Sequence, residues 1–585
     1  DFQVTKPDVT IAALHAKYAA GVSPKDVLRE ALARQDEVND PGIFIHLATS
    51  EELVNAVAEL GPFDPVAKPL WGVPFAVKDN IDVAGMPTTA ACPEFAYTPE
   101  TDATVVARLK AAGAIVLGKT NLDQFATGLV GVRTPHPVPR NALNDSLVPG
   151  GSSSGSAVAT AQGIVTFALG TDTAGSGRVP AALNGLVGLK PSLGALSNTG
   201  VVPACRTLDC VSIFAAELDD AWTVFAAAAA HDTSDPYSLD RDVLSSGLSS
   251  KPIIGIPSQK SIRFFGDALQ QEAFEKAVLG VAKTATIVEV DFGPLYAVAD
   301  MLYEGAWVAE RLAAIEDFAE DHEAALHPVT AQIILGARKL TAADAFRGFY
   351  KLQELKGAAD TQLAGLDMLL VPTIPTIYTR GDLEADPIGP NSRFGTYTNF
   401  VNLLDMSGLA IPYGSRSDGK PFGVTLLGKG GADRALAEYG ARLLGVDLRQ
   451  SPEGTSEEEI ELVVVGAHLS GMPLNYQLTD LNAKLVRASS TTPDYQFFAL
   501  PTAPVAKPGL LRNAEGQGAA IEVEVWSLSP EAFGTFVAAI PSPLGVGKIS
   551  LADGTTASGF LVEAHAVTGA EDISAYGGWR AYAAR

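Results

Sequence analysis

Serine hydroxyls in two glycine-rich turns are the groups of this chain best suited to nucleophilic chemistry. The first turn spans residues 150–156, and the second spans residues 170–177. Serines packed among glycines bring hydroxyls together with free backbone N–H groups, which nucleophilic attack with oxyanion stabilisation requires. Because most glycine and serine clusters are flexible turns without chemistry, the pattern alone leaves both interpretations open.

Two other motifs fit these turns less well. Residues 151–155 formally match the nucleophile elbow of α/β-hydrolases, with Ser153 as nucleophile. That motif needs a buried strand before it, whereas Val-Pro-Gly precedes it here, and the downstream histidines have no distinctive setting. A phosphate-binding loop is not expected either, because Pro191 follows a differently spaced Lys190.

Neither a metal nor an organic cofactor is expected. His322 and His327 flank Glu323, but on a helix a spacing of five residues turns them about 140° apart, whereas the zinc motif His-Glu-x-x-His uses four. The sequence contains no Cys-x-x-Cys pair. We therefore predict chemistry carried by side chains alone.

The two turns, together with an upstream lysine, resemble the amidase signature family, whose members hydrolyse amides with a Ser–Ser–Lys triad and no metal. Gly-Gly-Ser-Ser-Ser-Gly at 150–155 and Gly-Thr-Asp-Thr-Ala-Gly-Ser at 170–176 match its serine loops, and Lys78 ends an apolar stretch as its lysine does. The resemblance implies Ser176 as nucleophile, Ser152 as bridging serine after a cis peptide bond, and Lys78 as base.

The physical requirements of such a base agree with this sequence. A lysine accepts a proton only if its pKa falls toward neutrality, and Lys78 follows the apolar run 73–77, so that burial would lower its pKa. Asp172 and Arg178 are expected to hold the loops through buried hydrogen bonds. The expected oxyanion hole consists of backbone N–H groups of Thr173, Ala174, Gly175 and Ser176.

Residues 1–445 resemble, more narrowly, the amidase part of the allophanate hydrolase subfamily, and the phrase at 200–212 is typical of it. Allophanate is small and carries a carboxylate, which the subfamily holds with a tyrosine and an arginine eight residues apart. The resemblance implies Tyr303 and Arg311 for this role, and Gly128 as a glycine lining the pocket. On one helix the two side chains would point about 80° apart, and long side chains could still converge.

Composition indicates a two-domain protein of the reducing cytoplasm. A chain of 585 residues exceeds one ordinary core. Acidic residues outnumber basic ones by 67 to 42, which argues against nucleic acid and anionic membranes as partners, and no apolar run reaches 18 residues. Three cysteines do not form a disulfide scaffold.

Apolar strands that alternate with helical stretches predict an α/β layered sheet. The resemblance implies the amidase signature fold, a mixed β-sheet core layered by helices. Residues 156–169 are rich in alanine and valine and predict a helix that begins at the serine cluster. The predicted strands span 73–77, 115–117, 253–256, 287–290 and 368–371, and a helix over 432–444 closes the domain.

A polar segment at 449–459 predicts a boundary between domains of residues 1–450 and 458–585. The second domain is long enough for an independent α+β or β-rich fold. It is similar to the tail of full-length allophanate hydrolases, which resembles the γ-glutamyl cyclotransferase fold and in one branch decarboxylates the first product. His468 beside a strand end is the candidate residue there, and a satisfied structural histidine is the alternative.

The resemblance implies hydrolysis of allophanate to ammonia and carbon dioxide through a seryl acyl-enzyme and N-carboxycarbamate, in urea catabolism. It also implies a homodimer and functional coupling to urea carboxylase. Two alternatives remain open: an amidase for another small amide, and a glutamine-amidotransferase subunit that passes ammonia to a partner acting on charged transfer RNA. The second domain and the excess of acidic residues argue against the amidotransferase alternative.

Overall fold

A mixed eleven-stranded sheet is the framework of the first unit in this computed structural model, which describes residues 6–245, 247–448, 459–501 and 505–585. Its strands are β1 (Phe44–Leu47), β2 (Pro74–Lys78), β3 (Ile115–Thr120), β4 (Phe167–Asp172), β5 (Val187–Lys190), β6 (Cys210–Ala215), β7 (Ile253–Pro257), β8 (Thr286–Val290), β9 (Met368–Pro372), β10 (Met406–Ile411) and β11 (Val424–Lys429). Their spatial order is β1-β3-β2-β4-β6-β5-β10-β11-β9-β7-β8. β2 runs parallel to β3 and β4, and β7 runs parallel to β8 and β9, whereas the other pairs are antiparallel. The predicted α/β class and mixed sheet are confirmed.

Packed side chains cover both faces of this sheet. Along β9, Met368 and Leu370 belong to one hydrophobic cluster, whereas Leu369 and Val371 belong to another. Successive side chains of a strand point to opposite faces, so the alternation requires a core on each side. The helices of this unit are α1 (Ile11–Ala19), α2 (Pro24–Val38), α3 (Ser50–Glu59), α4 (Thr104–Ala111), α5 (Ser154–Ala161), α6 (Val179–Asn184), α7 (Leu218–Ala228), α8 (Ala268–Val281), α9 (Gly293–Glu304), α10 (Trp307–His322), α11 (Pro328–Leu335), α12 (Ala342–Leu363), α13 (Arg380–Ala385), α14 (Gly389–Phe394), α15 (Asn399–Leu403) and α16 (Asp433–Leu444).

The predicted helix over residues 156–169 is wrong in its second half. α5 ends at Ala161, and Gly163 takes a left-handed φ of +69°, which glycine adopts easily. The chain then enters β4, which pairs with β2 and β6 and is buried on both faces. A strand buried on both faces has no alternating polar residues, so hydrophobic periodicity does not separate it from a buried helix.

The predicted single helix across residues 303–311 is also wrong. α9 ends at Glu304, α10 begins at Trp307, and Gly305 between them is extended. Tyr303 and Arg311 therefore lie on two helices, and the angle expected for one helix does not apply.

The chain divides into two compact units, Asp1–Pro452 and Glu453–Arg585. The predicted domain limits at 450 and 458 lie outside the described residues. The second unit is rich in sheet, as predicted. Its elements are β12 (Ile460–Val464), α17 (Tyr476–Thr479), β13 (Lys484–Ser490), β14 (Tyr495–Leu500), β15 (Lys507–Arg512), β16 (Glu522–Leu528), α18 (Pro530–Ala538), β17 (Leu544–Ser550), β18 (Thr556–Val562), β19 (Glu571–Asp572) and α19 (Trp579–Ala583). Its strands have the orders β13-β16-β12-β18-β17 and β15-β14-β19. No helix in the described ranges combines the length and apolar character needed to cross a membrane.

Candidate active site

Lys78, Ser152 and Ser176 form one continuous hydrogen-bonded row. Lys78 Nζ donates to Ser152 Oγ at 2.7 Å, and Ser152 Oγ donates to Ser176 Oγ at 2.9 Å. Lys78 is the last residue of β2, Ser152 follows a cis peptide bond from Gly151, and Ser176 lies in the turn after β4. All three are buried. The neighbouring parallel strands β2 and β4 thus end beside the same serine loop.

Burial lowers the pKa of Lys78 to about 7, although the carboxylates of Asp123, Asp172 and Asp209 act to raise it. A lysine with this pKa is partly neutral at physiological pH and can accept a proton. Its Nζ also donates to Thr171 Oγ1 at 2.7 Å. Sequence analysis did not identify Thr171 as a contact of the lysine, because a threonine within a strand carries no signal of its own.

The turn that carries Ser152 is held by backbone hydrogen bonds. Gly151 N donates to Leu129 O at 2.8 Å, and Asp123 N donates to Ser152 O at 3.0 Å. A side chain at Gly151 would collide with the Asp123 carboxylate, which itself accepts from Gly131 N at 2.9 Å. The close approach therefore requires glycine at residue 151.

The turn that carries Ser176 presents unengaged backbone donors. Within the described ranges we find no acceptor for the N–H groups of Ala174, Gly175 and Ser176. Gly175 has φ +155°, and a Cβ there would lie 2.5 Å from Thr398 Oγ1. At the start of the turn, Thr173 Oγ1 donates to Asp209 Oδ1 at 2.5 Å. The turn is thus fixed at one end while its N–H groups stay available.

Asp172 and Arg178 form a buried ion pair at the base of this turn. Arg178 Nε donates to Asp172 Oδ2 at 2.9 Å, and Gly177 N donates to the same oxygen at 3.0 Å. The expectation that these residues hold the loops through buried hydrogen bonds is confirmed. Removing either partner would leave a buried charge without compensation.

The structure brings Tyr303, Arg311 and Gly128 to this region. Arg311 Nη2 donates to Tyr303 Oη at 3.2 Å, and Arg311 Nη1 donates to Thr127 Oγ1 at 3.0 Å. The next residue, Gly128, accepts from Ser176 Oγ at 3.4 Å through its carbonyl oxygen. Arg311 is buried, and its Nε has no acceptor among the described residues. The guanidinium therefore keeps donor capacity close to the candidate nucleophile.

Ser153, the alternative nucleophile, anchors the loop to β4. Its Oγ donates to Thr171 O at 3.2 Å and accepts from Thr171 N at 3.3 Å.

His322, which belongs to the zinc-like spacing of the sequence, stacks on Phe318 with ring centroids 4.7 Å apart. The described residues contain no cluster of histidine, cysteine and acidic side chains that could hold a metal ion.

His468 lies among aromatic rings in the second unit. It stacks on Phe560 with ring centroids 5.3 Å apart and meets Phe536 edge to face at 5.1 Å. Its Nε2 lies 2.8 Å from Gln477 Oε1. Burial lowers the pKa of His468, which favours the neutral imidazole at pH 7. A catalytic role for His468 stays a prediction.

Residues 26–437 match the family described as Amidase. The chain belongs to the amidase family. Beyond the core of this amidase-family chain, residues 460–584 match the family described as Allophanate hydrolase C-terminal domain.

Three relatives illustrate how far the similarity extends. A urea amidolyase from Lachancea kluyveri is 47% identical over 548 residues, which cover 88% of this chain but only 30% of that protein. The matching glutamyl-tRNA(Gln) amidotransferase subunit from Nitratidesulfovibrio vulgaris is 33% identical over 463 residues, covering 72% of this chain and 92% of that protein. The structure of Kluyveromyces lactis allophanate hydrolase superposes with a TM-score of 0.85 at 41% identity, covering 99% of this chain and 100% of that chain.

Proposed function

We propose that this amidase-family chain hydrolyses allophanate. The observation that carries the proposal is the buried Arg311 with its Tyr303 contact, linked through residues 127 and 128 to the row of Lys78, Ser152 and Ser176. A site with this row suits amide hydrolysis, and a buried guanidinium suits a substrate with a carboxylate. Similarity to an allophanate hydrolase along 99% of the chain supports the same substrate.

The first step is attack of Ser176 on the terminal carboxamide. Neutral Lys78 accepts the proton of Ser152 as Ser152 accepts that of Ser176, so that the hydroxyl becomes nucleophilic while the charge stays on one buried lysine. The proton then passes to the leaving nitrogen, and ammonia departs. An acyl-enzyme on Ser176 Oγ remains.

The backbone N–H groups of the turn that carries Ser176 stabilise the oxyanion of this step. Their donors are already oriented, since Gly175 turns the chain and Asp209 anchors Thr173. Thr173, Ala174, Gly175 and Ser176 form the proposed oxyanion hole. Arg311 and Tyr303 hold the carboxylate at the other end of the substrate, and Gly128 lines the pocket between the two ends.

Water then attacks the acyl-enzyme through the same proton path and releases N-carboxycarbamate. Decarboxylation of this product leaves carbamate, which breaks down to a second ammonia and a second carbon dioxide. We assign the decarboxylation to the second unit, with His468 as candidate. Coupling to urea carboxylase belongs to the proposal, because the chain spans 30% of a larger urea amidolyase. We further propose that the protein is a homodimer and acts in the cytoplasm. The free, buried thiols of Cys92, Cys205 and Cys210 suit such a reducing compartment.

Ammonia release from allophanate by the purified chain tests the proposal, with urea, malonamide, biuret and glutamine run in parallel. We expect turnover of allophanate and little of the neutral amides. Turnover of another amide with none of allophanate would retain the serine chemistry and reject the carboxylate clamp. Glutaminase activity that requires a co-purifying partner would favour the amidotransferase alternative instead.

A further inference from the structure

Two arginines line a cavity beside the candidate site. The cavity has a volume of about 320 Å³, and Arg133, Arg380, His327 and Glu384 contribute its charged and titratable side chains. Valine, leucine and proline side chains form the rest of the wall. An apolar wall lowers the local dielectric constant and strengthens the attraction between a guanidinium and an anion.

Arg133 is held so that part of its guanidinium remains unused. Nη1 donates to Thr127 O at 3.1 Å, and Nη2 donates to Pro387 O at 3.1 Å. The residue is 2% exposed, yet its buried Nε has no acceptor among the described residues. A buried charged donor without a partner is unfavourable unless a ligand satisfies it.

Arg380, the other arginine of the cavity wall, repeats this arrangement. Its Nη2 donates to Pro139 O at 2.9 Å, and its buried Nε also lacks an acceptor among the described residues. The Nε and adjacent Nη of a guanidinium form the edge that binds a carboxylate through two parallel hydrogen bonds. Both arginines of the cavity wall thus have a buried Nε without an acceptor among the described residues.

The charge balance of the cavity favours an anion. Burial lowers the pKa of His327, which keeps the imidazole neutral at pH 7. His327 Nδ1 accepts from Val329 N at 3.4 Å, so the neutral ring carries its proton on Nε2. Among the side chains that line the cavity, two arginines against the exposed Glu384 leave one net positive charge. The buried Asp123 carboxylate and the Arg311 guanidinium also act on Arg133, and their charges are opposite, so the balance stays positive by one.

We propose that this cavity is a binding site for a small planar oxyanion, a carboxylate or the chemically similar carbamate and bicarbonate, with Arg133 and Arg380 as its ligands. The site is separate from the contact between Tyr303 and Arg311 but adjoins it, because Arg133 donates to the carbonyl of Thr127 and Arg311 donates to its hydroxyl. The inference does not depend on which amide is hydrolysed, since it concerns binding at equilibrium.

Fluorine NMR of trifluoroacetate titrated into the full chain tests the proposal. We expect saturable line broadening, weakened about tenfold or more by Arg133→Gln and by Arg380→Gln, because each removes hydrogen bonds from a charged donor. Arg338→Gln is the matched control, since this exposed arginine pairs with Glu323 at 3.0 Å. It should bind trifluoroacetate as the unaltered chain does.

Two comparisons separate this site from other anion binding. Arg311→Gln should retain the binding that depends on Arg133 and Arg380, whereas complete loss there, with no effect of Arg380→Gln, would overturn the proposal. Formate and bicarbonate should displace the probe, and equal displacement by chloride at the same concentration would reject a planar oxyanion site. If Arg133→Gln does not fold, as judged by circular dichroism, the titration of Arg380→Gln decides the outcome, because Arg380 is only half-buried.

Discussion

At the scale of single residues, the candidate chemistry depends on one proton path inside a buried environment. Lys78 has two short contacts, to Ser152 and Thr171, and Ser152 passes the path on to Ser176. All four side chains are buried, so water cannot take the place of any of these hydrogen bonds unless the core opens. Single substitutions along the path should therefore change rate far more than fold.

Ser176→Ala should abolish ammonia release from allophanate while it leaves the fold intact. The substitution removes the attacking oxygen together with two hydrogen bonds, one donated to the Gly128 carbonyl at 3.4 Å and one accepted from Ser152 Oγ at 2.9 Å. Steady-state ammonia assays with circular dichroism check this. Substantial residual turnover in the purified variant would reject Ser176 as nucleophile.

The pH profile of kcat/KM should report Lys78. In the proposed mechanism the neutral lysine is the base, and burial lowers the pKa of Lys78 to about 7. The rate should therefore fall about tenfold per pH unit below pH 7 and level off above it. Thr171→Val removes an acceptor that favours the protonated lysine, so the midpoint of the profile should shift to lower pH.

Thr160→Val is the matched control for this shift, because Thr160 is a buried threonine that donates only to its own helix at Ser156 O. It should leave the pH midpoint unchanged. An identical midpoint in Thr171→Val would show that this hydroxyl does not influence the lysine.

Tyr303→Phe and Arg311→Gln should raise the KM for allophanate by about 10-fold to 100-fold, since a hydrogen bond to a charged group contributes about 1.5–3 kcal/mol. A neutral amide such as malonamide makes no use of the guanidinium, so its kcat/KM should change little. Equal losses on both substrates would indicate a structural role instead. Tyr303→Phe is the milder change, because Arg311 is buried.

At the scale of elements, the ends of β2 and β4 determine where the reacting groups meet. The strands are parallel neighbours, so their carboxyl ends bring Lys78 and the turn after Asp172 together. The glycines of that turn let the backbone pass close to neighbouring side chains. Changes in backbone geometry should therefore act on transition-state stabilisation.

Gly175→Ala should lower kcat by about 10²–10³, because the added methyl group meets Thr398 and displaces the oxyanion donors. Gly357→Ala is the matched control, since no atom lies within 4 Å of its added Cβ in the middle of α12. This control should keep full activity and stabilise the fold by about 0.5–1 kcal/mol. Thermal unfolding and kcat measured on both variants distinguish strain from lost catalysis.

At the scale of the whole molecule, the strong negative charge opposes an anionic substrate. The formal net charge is −25, so the long-range field repels allophanate, the proposed substrate, and in our proposal local cations such as Arg311 attract it. Salt screens the long-range part first, because the Debye length is about 10 Å at 0.1 M. Association should therefore depend on ionic strength.

Raising the salt concentration from about 0.01 M to 0.1 M should increase kcat/KM for allophanate and leave that for malonamide unchanged. The neutral substrate is the internal control for effects of salt on the enzyme itself. A fall for allophanate alone would mean that attraction by the arginines outweighs the repulsion of the surface.

The sequence by itself determined the identity of the row and the class of the fold. Lys78, Ser152 and Ser176 stand in local motifs whose glycines and apolar flanks are readable along the chain, and the alternation of strands and helices indicated the layered sheet. Such local signals survive without tertiary information because they follow from backbone freedom and burial of neighbouring residues.

Only the tertiary structure decided what those residues contact. The break at Gly305 separates α9 from α10 and lets Arg311 reach Tyr303, and β4 replaces the second half of a predicted helix because pairing with β2 and β6 outweighs local pattern. Thr171 and Asp209 contact Lys78 and Thr173, which lie more than thirty residues away along the chain. Only the packing around Arg133 leaves its Nε without an acceptor among the described residues. Long-range contacts of this kind leave no periodicity in the sequence, since packing alone brings the partners together.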